Sequence, residues 1–192
     1  MRLPPLPPAA MTKDQRALHD AMAPVIAEHL KGFVSKRNDG ALVGPFPPML
    51  HFLQFGQPAW DYTRALIEHA KLPKKVREVA ILVTGACFNS RYELYAHEHV
   101  AESIGLSLAT IATIAAGQRP VDLTTDEAVA YDIATTLAGG KQLAGSTYQA
   151  GLDAFGQDGM SELVYLIGGY CLVSVLLNAF DMSVPGSEEG LG

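Results

Sequence analysis

From Pro58 onward the sequence keeps a helical apolar pattern, and no stretch alternates cleanly with period 2. Without that alternation a chain cannot cover one face of a sheet, so the expected class is all-α, a helical bundle of about six to eight helices. Helices are expected near 12–33, 58–70, 73–88, 90–104, 107–117, 124–138, 145–156 and 159–180. Thr12 with Gln15 forms a capping box, and Ser107 and Thr124 or Thr125 are natural N-caps. Pro73 suits a first helical turn, and Gly105 suits the position after a helix end. Pro24 should kink or restart the first helix.

The breakers divide the chain into a Pro-rich extended N-terminus (1–11), a single helical domain (12–184) and a flexible C-terminal tail (185–192). Within the domain, residues 36–58 read as a long connection, KRNDGALVGPFPPMLHFLQFGQP, rich in Gly and Pro yet also in Leu, Phe and Met. Such a segment is either a pocket wall or an ordered wrap over the core, and the sequence leaves both open.

A chain of 192 residues is long enough for a sizeable core. Charged residues make up 18% of it against 48% apolar, below the usual charged share of about 25%. Some helical faces are therefore expected to be buried against other copies, in a homo-oligomer. The formal net charge of -6 gives phosphate no basic stripe, so no nucleic-acid partner is expected. The start has no apolar core after Arg2 that would make a secretory signal. The longest apolar run, Leu163 to Leu177, falls short of the roughly 20 residues that span a bilayer. The expected location is cytoplasmic, with no membrane partner. Cys87 and Cys171 form no C-x-x-C pair.

The chemistry-bearing stretch is SRYELYAHEHVA, residues 90–101. Ser90, Glu93 and His97 are spaced i, i+3, i+7 and share an arc of roughly 60° on a helix, whereas His99 points about 160° away from His97. Glu93 and His97 are an i,i+4 pair in which a carboxylate can fix the imidazole and raise its pKa. The preceding helix, KLPKKVREVAILVTGACF, interrupts its apolar face with Arg77 and Glu78. The turn between the two helices is short, so they should be antiparallel neighbours with Glu78 able to approach His97. Glu93 and His97 also have a spacing used by metal-binding helices. No second histidine is in phase and no ligand cluster exists, so no metal is expected. Trp60, His51 and Tyr62 read as core or interface residues.

The pattern Glu78, eleven residues, Ser90, two residues, Glu93, three residues, His97 resembles the carboxymuconolactone decarboxylase and alkylhydroperoxidase D-like superfamily. In the peroxidase branch the positions of Ser90 and Glu93 are cysteines. Tyr92-Glu93 and His97 resemble the Y-E-x-x-x-H form of the decarboxylase branch, and LPKKVREVAILVTG is similar to the family's L-P-x-x-x-R-E helix. The resemblance implies a helical bundle assembling as trimers or hexamers, and a cofactor-independent lyase or isomerase acting on a small organic acid or lactone. It implies His97, Glu78 and Glu93 as catalytic residues, with Ser90, Arg77, Arg91 and Cys87 at the substrate. Arg77 or Arg91 would stabilise the enolate left by decarboxylation. Serine cannot form a sulfenic acid, so two-cysteine peroxide reduction is disfavoured. The alternatives are a peroxidase-related protein using Cys87, or a non-catalytic oligomer that binds a small ligand.

Overall fold

A computed structural model describes residues 1–186. Two of the eight residues assigned to the 185–192 tail lie within it, and the remainder fall outside the described residues. A short 3-10 turn, Pro8–Ala10, precedes α1 (Lys13–His29), α2 (Phe46–His51), α3 (Leu53–Glu68), α4 (Lys74–Cys87), α5 (Arg91–Ser103), α6 (Leu108–Ala115), α7 (Thr125–Ala138) and α8 (Gly145–Ala179). No strand occurs among the described residues beyond an isolated bridge, Lys36 to Leu42.

The caps fall where the sequence places them. Thr12 and Gln15 bond each other's backbone at the start of α1. Thr124 and Glu127 do the same for α7, and Ser107 accepts the Thr110 N–H of α6. Gly105 takes φ +85° just beyond α5.

Two expectations change. α1 runs through Pro24 without a break and stops at His29, before the expected end near Phe33. Leu18, Met22 and Ile26 on one face of α1 are buried with Phe46, Leu50 and Trp60, and this packing holds the helix line across the missing backbone donor. The 36–58 connection contains α2, and α3 starts at Leu53, ahead of Pro58. The corner between them exists because residue 56 is glycine: a Cβ there would stand 1.9 Å from the Met49 carbonyl oxygen. The two helices expected at 145–156 and 159–180 are present: α8 spans both, and Gly156 at φ +65° breaks the helical backbone between them.

The main core gathers α4, α6, α7 and α8 around Val79, Leu82, Ile114, Ile133, Leu163 and Leu166. By length and mean hydropathy (1.8) α8 could cross a membrane. It packs instead against α3, α4, α5 and α7. A second core, built by α1, α2 and α3, forms a cover that packs against Leu176 of α8. The α4–α5 hairpin meets this cover, and the candidate site lies between them.

Candidate active site

α4 and α5 are antiparallel neighbours joined by a tight turn in which Asn89 takes φ +49° and the Ser90 N–H donates to the Gly85 carbonyl. This turn sets the register across the seam. It places Glu78, midway along α4, opposite His97, in the second turn of α5. The His97 Nδ1–H donates to Glu78 Oε2 at 2.7 Å. On the other side of the ring, Nε2 lies 3.2 Å from Glu93 Oε1. That separation is an ion-pair contact without hydrogen-bond alignment, and Glu93 Oε1 has no hydrogen-bond partner among the described residues. All three groups are buried, at 8%, 6% and 3% exposure for Glu78, His97 and Glu93. The imidazole is therefore clamped between two carboxylates in a buried seam.

Burial governs the electrostatics. Desolvation opposes charging His97, but the negative charges of Glu78 and Glu93, with the Glu78 hydrogen bond, outweigh it and push its pKa up to about 9. Arg77 acts weakly in the opposite direction. Burial also raises the Glu93 carboxyl, helped by the Glu78 charge and offset in part by His97, to about 7. The flanking carboxylates thus favour the imidazolium form of His97, while burial disfavours the carboxylate form of Glu93.

Glu93 and His97 face a cavity with about 60 Å³ of free space. Its walls are Leu30, Phe33, Pro45, Phe46 and Met49 from the cover, Thr63, Leu66 and Ile67 from α3, and Tyr170 and Val173 from α8, among others. The free space is well below the roughly 150 Å³ of an apolar cavity that takes benzene. The Tyr170 ring stands edge-on to the His97 imidazole at 5.1 Å, and burial with the nearby Glu93 and Glu78 charges keeps its phenol well above the usual range. Tyr170 was not foreseen. Its sequence signal is a polar aromatic following two glycines in an otherwise apolar helix, where Gly169 lets Leu66 and Tyr62 approach closely.

The remaining expected site residues separate. Arg77 lines the cavity, but its guanidinium is held by Glu162 and by the Leu66 carbonyl, the latter at 2.9 Å. Ser90 is fully buried as the N-cap of α5; its Oγ has no hydrogen-bond partner and it is not part of the cavity wall. Arg91 falls one position off the buried arc. It is 73% exposed, 3.5 Å from Asp181 and outside the cavity. Cys87 is exposed at the end of α4, also outside the cavity, and burial of its sulfur raises its pKa. Cys171 is near enough for the Cys87 charge to add to the rise that burial causes in its own thiol. Trp60 is core, the Tyr62 hydroxyl donates to the Tyr165 carbonyl, and His51 bonds the Pro4 carbonyl. His99, on the far side of α5, bonds the Tyr95 carbonyl.

A larger groove of about 650 Å³ lies between α2, α3 and α8. Its walls, including Phe52, Phe55, Leu172 and Phe180, carry no acid, base or histidine, so size alone does not mark the chemistry here.

No family model and no curated protein sequence matches the chain. Solved structures do match in fold. The alkylhydroperoxidase AhpD core of a peroxidase-related protein from Ralstonia eutropha JMP134 superposes with TM-score 0.76 at 17% identity, covering 96% of this chain and 92% of that one. The debrominase Bmp8, as a cysteine-to-alanine variant in complex with 2,3,4-tribromopyrrole, gives TM-score 0.74 at 12% identity, covering 98% and 94%. Apo Bmp8 gives 0.73 at 11%. The chain thus has the all-α alkylhydroperoxidase D-like fold, the fold implied by the resemblance carried by Glu78, Glu93 and His97.

Proposed function

We propose that the protein is a cofactor-independent proton-transfer enzyme, a lyase or isomerase of the decarboxylase-like kind, acting on a small carbonyl compound in the Glu93–His97 cavity. The observation that carries this reading is the buried Glu78–His97–Glu93 set, in which Glu93 and His97 line a small cavity and burial raises the Glu93 carboxyl. A base whose pKa lies near the working pH serves proton transfer best.

The roles follow from the geometry. The Glu93 carboxylate takes a proton from the carbon next to a carbonyl, and the electron pair moves to the carbonyl oxygen as an enolate. His97 keeps Nδ1–H on Glu78 and has Nε2–H free for Glu93 or for the developing oxyanion. Glu78 touches His97 and is not part of the cavity wall, so it is a positioning residue. Returning the proton to the opposite face of the α-carbon inverts that centre, and returning it to the oxygen gives the enol; either outcome is an isomerisation.

The neighbours in fold are named for peroxidase-related and debrominating chemistry. The present cavity wall contains no cysteine, which favours proton transfer over thiol chemistry. Assembly as a homo-oligomer, trimer or hexamer, is part of the same proposal and is supported by exposed Phe55 and Val175.

The test is solvent hydrogen exchange into the α-carbons of 2-butanone in D2O. The wild type should accelerate exchange, and Glu93→Gln should lower the acceleration by about 10²–10⁴-fold. Full acceleration in Glu93→Gln, or none in the wild type, overturns the reading.

A further inference from the structure

We infer that the cavity selects uncharged substrates and rejects carboxylates, so the natural ligand is a neutral carbonyl compound such as a ketone or lactone. This rests on the proton-transfer reading of the same cavity and narrows its substrate class.

The inference starts from the cations. A carboxylate entering a dry pocket needs a paired, hydrogen-bonded positive charge to offset its desolvation. Arg77 is the one Arg or Lys in the cavity wall among the described residues. Its Nη1 is paired with Glu162 and its Nη2 donates to the Leu66 carbonyl. Glu162 is itself fixed, since its Oε2 accepts the Lys71 and Leu72 N–H groups at 2.9 and 3.0 Å. The Arg77 charge is therefore already spent within the scaffold. The second cation is His97, and Glu78 and Glu93 flank both of its nitrogens. Three carboxylates thus face two cations, and once Glu93 ionises the site carries a net negative charge. Arg91, the other candidate for binding a substrate carboxylate, is 73% exposed beside Asp181, away from the cavity.

The walls agree with the charge balance. Leu30, Phe33, Phe46, Met49 and Val173 present apolar surface, which favours an uncharged ligand. Of the polar groups in the wall, Thr63, Arg77 and Tyr92 are engaged with the Ala59 carbonyl, Glu162 and the Val34 carbonyl, which leaves Glu93 as acceptor and His97 as donor, with the Tyr170 phenol beside them, to meet a carbonyl oxygen next to an acidic C–H. Decarboxylation of a free acid is consequently the least suited reaction for this pocket, although the spacing of Glu78, Glu93 and His97 resembles decarboxylases.

The experiment is an NMR titration of the full chain at pH 8, where Glu93 is mostly ionised. The probes are 2-butanone, propionamide and propionate, which have matched heavy-atom skeletons. The readouts are ligand saturation transfer and the His97 imidazole resonances. Butanone and propionamide should bind and shift His97, with Kd at least about tenfold below that of propionate, which is about 1.4 kcal/mol. Glu93→Gln removes the ionising charge and should strengthen propionate binding, closing most of the gap. Propionate binding as tightly as butanone in the wild type overturns the inference. Failure of butanone to bind saturably, or an unchanged preference in Glu93→Gln, also overturns it. Butanone that binds with this selectivity but exchanges no α-hydrogen overturns the proton-transfer reading and leaves the selectivity standing.

Discussion

The cavity is built by two regions that work differently. The α4–α5 hairpin supplies most of the charged groups that face or back the space, Arg77 and Glu78 from one helix and Glu93 and His97 from the other, while α8 adds the Tyr170 phenol at the wall and Glu162 behind Arg77. The cover, from Leu30 through α2, supplies only apolar wall. The hairpin is held by a short turn and by the His97–Glu78 contact across its own seam, with Glu93 flanking the ring from within α5. The cover is held by distant packing, in which α1 leans on α2 and α3 and the Tyr92 hydroxyl of α5 donates to the Val34 carbonyl at 2.8 Å. The chemistry is thus local in sequence, and the shape of the space is not.

That contrast can be broken at the hairpin first. If Glu78, His97 and Glu93 act as one unit, His97→Ala should lose as much butanone exchange as Glu93→Gln, about 10²–10⁴-fold. The double variant should lose little more than either single one. Multiplicative losses, measured as initial exchange rates, would show independent groups and end the description of a coupled set.

The cover breaks through its contact with α5. Gly44 has φ +75°, and a Cβ there would stand 2.4 Å from the Tyr92 ring. Gly44→Ala should cost about 2–4 kcal/mol, combining left-handed backbone strain with overpacking. Gly117→Ala is the control. It shares the positive φ, at +72°, but meets nothing within 4 Å, so only about 1–2 kcal/mol is expected. Equal losses in urea unfolding would show that the Tyr92 contact contributes nothing.

These two regions also explain what the sequence could reveal. The all-α class was legible because period 3–4 is absent nowhere after Pro58, and the caps at Thr12, Ser107 and Thr124 are local devices. Glu78, Glu93 and His97 were legible because helical phase and a short turn converge them, and the same phase correctly set His99 aside. Ser90 misled because sharing the arc buries it under the turn instead of exposing it to the cavity. Arg77 was placed at the cavity, but its partner Glu162 is remote in sequence, so its neutralisation could not be read. The 36–58 connection hid α2 for the same reason: Pro45, Pro47, Pro48 and Gly56 look like breakers until the close approach of Met49 gives Gly56 its purpose. Tyr170 belongs to this tertiary class too.

A smaller effect separates the regions by pH. Folding raises Glu93 from its ordinary 4.5 to about 7 and His97 from 6.5 to about 9. Both groups bind protons more tightly in the native state than in the unfolded chain. The stability they contribute is complete at low pH and is lost as pH rises through about 7 and then about 9. From pH 5 to 9 their contribution should decline, first through Glu93 and then through His97. Glu93→Gln should flatten the part between pH 5 and 7, whereas Gly44→Ala should lower the whole curve without changing its slope. Thermal melts across that range compare the two, and an unchanged slope in Glu93→Gln would remove Glu93 as its source.

The smallest effect is expected at Cys87, which ends the same helix that carries Glu78. Its thiol is outside the cavity, its pKa is raised by burial, and the nearest ionisable influence described is another thiol, Cys171. A nucleophilic cysteine needs the reverse, a lowered pKa beside a positive charge. Cys87→Ser should therefore change stability by no more than about 0.5 kcal/mol and leave butanone exchange at the wild-type rate. Peroxide consumption, if the wild type shows any, should also be unchanged. Loss of a peroxide-consuming activity in Cys87→Ser would move the reactive centre off the hairpin seam to the end of α4, and the division between a charged hairpin and an apolar cover would no longer describe where the protein does its chemistry.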